Sequence, residues 1–96
     1  MRLSKQQKEL LIIMTKAFMS GIREVKSTDA HALVCRNLKK DIHPNNWRDS
    51  CKVLHDHGLI RRFKEKDGFD WFMHIKPEGI NKGVELIELA EEAKEA

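Results

Sequence analysis

At 96 residues the chain has room for one domain and a modest core, because a chain of this size buries only about 60–65% of its unfolded surface. An apolar fraction of 41% beside 34% charged residues excludes a disordered chain, and no apolar run approaches the length of a membrane span. The net charge of +3 permits a nucleic-acid partner without demanding one.

The opening MRLSKQQKELL lacks the apolar run and small-residue cleavage site of a signal peptide, so a cytoplasmic location is expected. In that compartment Cys35 and Cys51 are expected as free thiols. Charge is unevenly spread. The C-terminal VELIELAEEAKEA is acidic, while Arg61, Arg62, Lys64 and Lys66 crowd together.

Ser4 is placed to cap a helix over residues 4–20 that stops at Gly21. At 100° per residue, Leu3, Leu10, Leu11, Ile13, Met14, Ala17 and Phe18 make one broad face. Ile12 and Met19 fall on the opposite side, either as a partner surface or as ordinary exposed apolar residues. A short strand is read from Ile22 to Lys26. Ser27 or Thr28 then caps a helix over 28–40, with Asp29 in its first turn. Ala30, Leu33, Val34 and Leu38 form its core stripe, and Asp41-Ile42-His43 makes a tight turn.

Pro44 suits the first turn of the next helix, over 44–57, where its missing N–H costs nothing. Trp47, Cys51 and Leu54 share one face, with Ser50 beside them; Asn45, Arg48, Asp49, Lys52 and Asp56 lie opposite. Gly58 ends this helix in a left-handed conformation. A hairpin over 59–76 follows, with strands Leu59–Lys66 and Phe69–Lys76 meeting at Asp67-Gly68, the dipeptide of two-residue turns. That register sets Ile60 opposite Ile75, Arg62 opposite Met73 and Lys64 opposite Trp71. It sets Arg61 opposite His74 and Phe63 opposite Phe72. Glu65 then opposes Asp70, two acids face to face, which a longer loop would relieve. Neither hairpin face is cleanly apolar, so pattern does not choose which one packs. The last helix, over 78–95, carries Ile80, Val84, Leu86, Ile87, Leu89, Ala90 and Ala93. Apolar residues cover more than half its circumference, which suits packing against a second copy.

This order of elements resembles the winged helix-turn-helix, and the resemblance spans nearly the whole chain. LHDHGLI, residues 54–60, is similar to the L-x-x-x-G-L-[IV] exit from that fold's reading helix. IKPEG, residues 75–79, is similar to the L-T-x-x-G approach to its final helix. The nearest types are small dimeric regulators of the multiple-antibiotic-resistance and phenolic-acid kinds (MarR and PadR types) and small winged-helix proteins of phages and archaeal viruses. Two features depart from the antibiotic-resistance type: the wing tip is short, and the reading helix carries two acids.

The resemblance implies an α+β, mostly helical winged-helix domain over residues 1–96 with an added C-terminal helix. It implies a homodimeric, sequence-specific double-stranded DNA-binding regulator of transcription, a repressor, with no cofactor. On that reading Asn45 and Asn46 can pair with adenine and Arg48 with guanine, while Lys52 suits a phosphate. Asp49 either accepts from cytosine or holds Arg48 or Lys52 in place. Arg61, Arg62, Lys64 and Lys66 reach phosphates or the minor groove from the wing. Ile12, Met19, Leu86, Leu89, Ala90 and Ala93 form the dimer interface. The alternative is a winged helix that binds protein, for which Phe69, Trp71 and Phe72 supply aromatic surface.

Five His and two Cys raise the question of a metal. His31 and Cys35, and Cys51 and His55, are each one turn apart, but no C-x-x-C or H-E-x-x-H is present and no metal is expected. His31 and Cys35 are the pair expected to be exposed. With no phosphate-binding glycine loop and no serine elbow, enzymatic activity is not expected.

Overall fold

The first helix begins on a reciprocal cap. Gln7 donates its backbone N–H to the Ser4 hydroxyl at 3.2 Å, and Ser4 donates its own to the Gln7 side chain at 2.8 Å. The computed structural model describes residues 2–66 and 68–95. Its elements are α1 (Lys5–Met19), β1 (Glu24–Lys26), α2 (Ser27–Leu38), α3 (Pro44–Asp56), β2 (Ile60–Lys64), β3 (Trp71–Ile75) and α4 (Pro77–Glu95).

Leu10, Leu11 and Met14 of α1 sit at the centre of the core with Val34 of α2, Leu54 of α3, and Ile60 and Met73 of the sheet. Each such side chain stabilises the fold by roughly 1.5–3 kcal/mol when taken out of water. The buried face of α1 is rotated from the predicted one. Gln7 and Thr15 are buried, Ile12 is half-buried against the core, and Phe18 is 38% exposed. The cause is α4, which packs so close to α1 that a Cβ on Gly83 would strike the Thr15 hydroxyl. That hydroxyl donates to the Leu11 carbonyl at 2.7 Å, so its burial leaves nothing unpaired. Gly79, one turn earlier, lies against the Leu59 carbonyl in the same way. Ile12 is therefore not the open half of a partner surface; Met19 remains exposed.

Leu86 is also corrected. It belongs to the core of the single chain at 9% exposure, because the Gly79–Gly83 side of α4 turns it inward. From Glu88 to Lys94 every residue of α4 is exposed, Leu89, Ala90 and Ala93 included.

Neither Ser27 nor Thr28 caps α2. The helix starts at Ser27 with no side-chain cap and ends at Leu38, with Lys39 in the left-handed region at φ 52°. Leu33, predicted for its core stripe, is exposed. The cap of α3 was not legible in advance: His43 Nδ1 accepts the Asn45 N–H at 3.1 Å, and Pro44 follows it as the first helical residue. Gly58 takes φ +73° beyond the end of α3 and turns the chain into β2.

The sheet is antiparallel in the order β1-β3-β2. Its hairpin register is the predicted one, from Ile60 opposite Ile75 to Lys64 opposite Trp71. The strands stop sooner than predicted. The regular ladder ends at Lys64 and Trp71, and the Gly68 N–H donates to the Glu65 carbonyl at 3.3 Å within the loop. Asp67, and with it the two-residue turn predicted there, lies outside the described residues. Glu65 still stands opposite Asp70, its N–H 3.5 Å from the Asp70 carbonyl, but the Asp70 carboxylate is offset by Lys26 at 3.4 Å. The face bearing Ile60 and Met73 packs on the helices. The other face carries Phe63, Phe72 and His74 outward, ring against ring, with Phe63 and His74 centroids 4.9 Å apart.

Candidate nucleic-acid interface

The helix α3 is amphipathic by spacing, and the fold uses that division. Trp47, Ser50, Cys51 and Leu54 are buried, while Asn45, Asn46, Arg48, Asp49, Lys52 and Asp56 are exposed. Three elements fix its position. From α2, Ser27 accepts the Trp47 indole N–H at 3.0 Å, and the His31 ring stacks on Trp47 with centroids 5.0 Å apart and planes within 11°. From α1, the Gln6 amide donates to the Ser50 hydroxyl and to the Asn46 carbonyl. From the hairpin, the Arg62 backbone N–H donates to His55 Nδ1 at 3.1 Å. A helix held at both ends by side-chain hydrogen bonds presents its outer face as a rigid surface.

That outer face divides further. Helical spacing puts Asn45, Asp49, Lys52 and Asp56 along its crest. Arg48 and His55 lie on the flank toward the hairpin, where they share a groove with Lys52, Arg62 and Trp71. Asn46 and Val53 lie on the flank toward α1, beside Ser4 and Gln6. The N-terminus of α3, the positive end of its dipole, opens beside Asn45 and Arg48. Among the described residues Asp49 forms no ion pair with Arg48 or Lys52.

The four basic hairpin residues do not act as one cluster. Alternation along β2 sends Arg61 to the outer sheet face, with its guanidinium 5.2 Å from the Phe63 ring. Arg62 goes to the α3 side, 4.3 Å from the centre of the Trp71 ring. Lys64 lies 5.8 Å from the Phe69 ring, and Lys66 is exposed. Phe69, at 92% exposure, is the most open of the large apolar residues described.

Both thiols and the His31 imidazole are engaged in structure. Burial pushes the Cys51 thiol up to about 12, against a smaller opposing pull from the Arg62 charge and a hydrogen bond to Ser27, so it stays protonated and is a poor nucleophile or ligand. His31, expected to be exposed with Cys35, is half-buried on Trp47 with Nε2 2.8 Å from the Ile42 carbonyl. Cys35 is half-buried against the core. Among the described residues no three His, Cys, Asp or Glu side chains come together as a metal site would require. Among the described residues no helix is long and apolar enough to cross a membrane.

No protein-family model and no curated protein matches the sequence, whereas solved structures resemble its fold. RosR of H. salinarum superposes with a TM-score of 0.75 at 15% identity, over 92% of this chain and 74% of that one. The adhesin competence repressor AdcR of Streptococcus pyogenes gives 0.72 at 14% identity, over 98% of this chain and 62% of that one, so this chain is under two thirds of AdcR's length. SSV1 F-93 gives 0.66 at 12% identity, over 93% of this chain and 90% of that one. At these identities the likeness is one of fold. The chain has the winged-helix fold: α2 and α3 are its helix-turn-helix, and β2 and β3 its wing.

Proposed function

We propose that this chain is a sequence-specific, double-stranded DNA-binding regulator of transcription. The observation that carries the reading is α3, whose buried Trp47, Ser50, Cys51 and Leu54 hold an exposed face of Asn45, Arg48, Asp49 and Lys52 beside the wing. A major groove admits one helix and is read by side chains near its N-terminus. Asn45 and Arg48 occupy that end, and Lys52, a turn further on, suits phosphate. Asn46 stands on the flank toward α1 and reads from there. Arg62 and Lys64 approach the backbone from the α3 side of the wing, Lys66 from its tip, and Arg61 from its outer face.

On this reading the regulator is a cytoplasmic homodimer that represses. Met19 and the exposed end of α4, with Leu89, Ala90 and Ala93, are the surface a second copy would cover. Two-fold symmetry then calls for a pseudo-palindromic site with half-sites about one helical turn apart. Selection from random duplexes, followed by titration across salt concentrations, tests the reading. A recovered palindrome and a steep salt slope support it; affinity for no duplex at low salt rejects it.

One observation favours a second reading. Phe69 is nearly fully exposed, and the outer sheet face adds Phe63 and Phe72, an aromatic surface of the kind that binds protein. Failure to bind any duplex would leave that reading in possession.

A further inference from the structure

Phe69 is more open to water than any other large apolar side chain described. Single apolar residues on a surface are ordinary. This one differs in its place and its neighbours. It belongs to the loop that joins β2 to β3, and it lines a cleft together with Arg48, Arg62 and Trp71. The ring therefore stands beside the N-terminal end of α3. The Gly68 N–H bond to the Glu65 carbonyl, at 3.3 Å, closes the loop next to it.

The neighbours of the ring are cationic. Lys64 Nζ lies 5.8 Å from its centre, Lys66 is exposed on the same loop, and Arg62 lies over Trp71 on the α3 side. Of the acids described nearby, Asp70 has its carboxylate drawn to Lys26 at 3.4 Å, and Glu65 is folded back over Gly68. A ring with lysines around it is poorly matched to an apolar pocket on a protein, because covering it would also strip water from the charges. It is well matched to a minor groove. Phosphates line both edges of that groove for the lysines, and the space between two stacked bases takes the ring. With α3 seated in a major groove, a loop beside it reaches over one phosphate strand to the neighbouring minor groove, about 6 Å wide.

We propose that Phe69 is an apolar wedge, which enters that minor groove, partly unstacks one base step and bends the duplex toward the major groove. The proposal rests on the DNA-binding reading and adds to it a bend and a sequence preference at a step that α3 does not touch. Pyrimidine–purine steps unstack most easily, so the preference is for such a step beside each half-site.

The test uses the full chain and the duplex recovered by selection, with a donor dye at one end and an acceptor at the other. Energy transfer should report a bend of about 20–90° with the parent and roughly half of it or less with Phe69→Ala. Phe69→Leu keeps an apolar wedge and should keep most of the bend. The affinity of Phe69→Ala should fall several-fold while its salt slope stays that of the parent, because the ring neutralises no phosphate. Lys64→Ala should instead flatten the slope, by about one contact. 2-Aminopurine placed at the pyrimidine–purine step should brighten with the parent and stay dim with Phe69→Ala. Because Phe69 is exposed, its replacement should leave the circular dichroism of the free chain unchanged. A parent complex with a straight duplex, or a Phe69→Ala complex bent as much as the parent's, overturns the wedge and leaves DNA binding standing. If no duplex binds at all, the DNA-binding reading and the wedge fall together.

Discussion

Trp47 donates its indole N–H to the hydroxyl of Ser27, the residue that opens α2. A bond between the two halves of the helix-turn-helix sets the angle at which α3 stands out from the body. His31 reinforces it by stacking on the far side of the same ring. Trp47→Phe keeps a smaller aromatic ring and removes the donor, so it should cost about 0.5–1.5 kcal/mol for the hydrogen bond and somewhat more for the lost volume. Trp47→Ala removes the anchor as well and should cost about 3–5 kcal/mol. Urea denaturation of both variants checks this, and equal losses would mean that the hydrogen bond, not the ring, carries the contact.

Arg48 and Lys52 are exposed, unpaired among the described residues, and on the crest and wing-side flank of α3. Their joint replacement by Ala should leave thermal unfolding within about 0.5 kcal/mol of the parent, as surface changes usually do. Duplex affinity should fall, and the salt dependence should flatten by roughly one phosphate contact for each charge that touches backbone. A gel-shift titration at several salt concentrations reads both. Affinity and slope unchanged from the parent would remove α3 from the interface.

The Cys51 thiol makes stability depend on alkaline pH. Its folded value is raised to about 12 by burial, above an ordinary 9.0. The contribution is therefore complete below about pH 9 and is lost as pH rises toward 12, since the unfolded chain releases that proton first. The expected slope is about 1.4 kcal/mol per pH unit at its steepest. Cys51→Ala should remove this slope while costing some stability at neutral pH, so the comparison is between the two pH profiles and not their absolute values. Parallel profiles from pH 8 to 10.5 would contradict it. At neutral pH the same thiol should resist alkylation in the native state.

The parts legible from sequence are those set by local period. The division of α3 follows from spacing alone, because Trp47, Cys51 and Leu54 repeat at three and four residues. The hairpin register follows from alternation on either side of its turn, and it agrees pair by pair. What escaped depends on who packs against whom. The rotation of α1 is caused by Gly83 of α4 meeting Thr15, a contact far apart in the chain. The packed face of the hairpin is chosen by Ile60 and Met73, which have the same two-residue period as Arg61 and His74 and differ only in what lies beneath. Arg61 and Arg62 are neighbours in sequence and on opposite faces in space, so a basic run in a strand reads as one cluster when it is two. Gln6, Ser27, His31 and His43 hold α3 in place through hydrogen bonds or stacking that no local pattern announces.

Leu86 and Leu89 are three residues apart on α4 and have opposite fates. Leu86 is in the core of the single chain; Leu89 is 54% exposed, on a stretch from Glu88 to Lys94 that none of the described residues covers. A helix end of two turns with no packing is marginal in water, which is why a second copy is the proposed cover. Leu86→Glu should destabilise the monomer itself, by about 2–5 kcal/mol, since it buries a charge where a leucine packed. Leu89→Glu should leave the fold of each chain intact and shift the dimer toward monomer. Light scattering at micromolar concentration, with circular dichroism on the same samples, separates the two effects. A parent protein that is already monomeric would reject the dimer, and a Leu89→Glu variant that is still dimeric would take α4 out of the interface and leave Met19 and the neighbouring end of α1 as the surface to test.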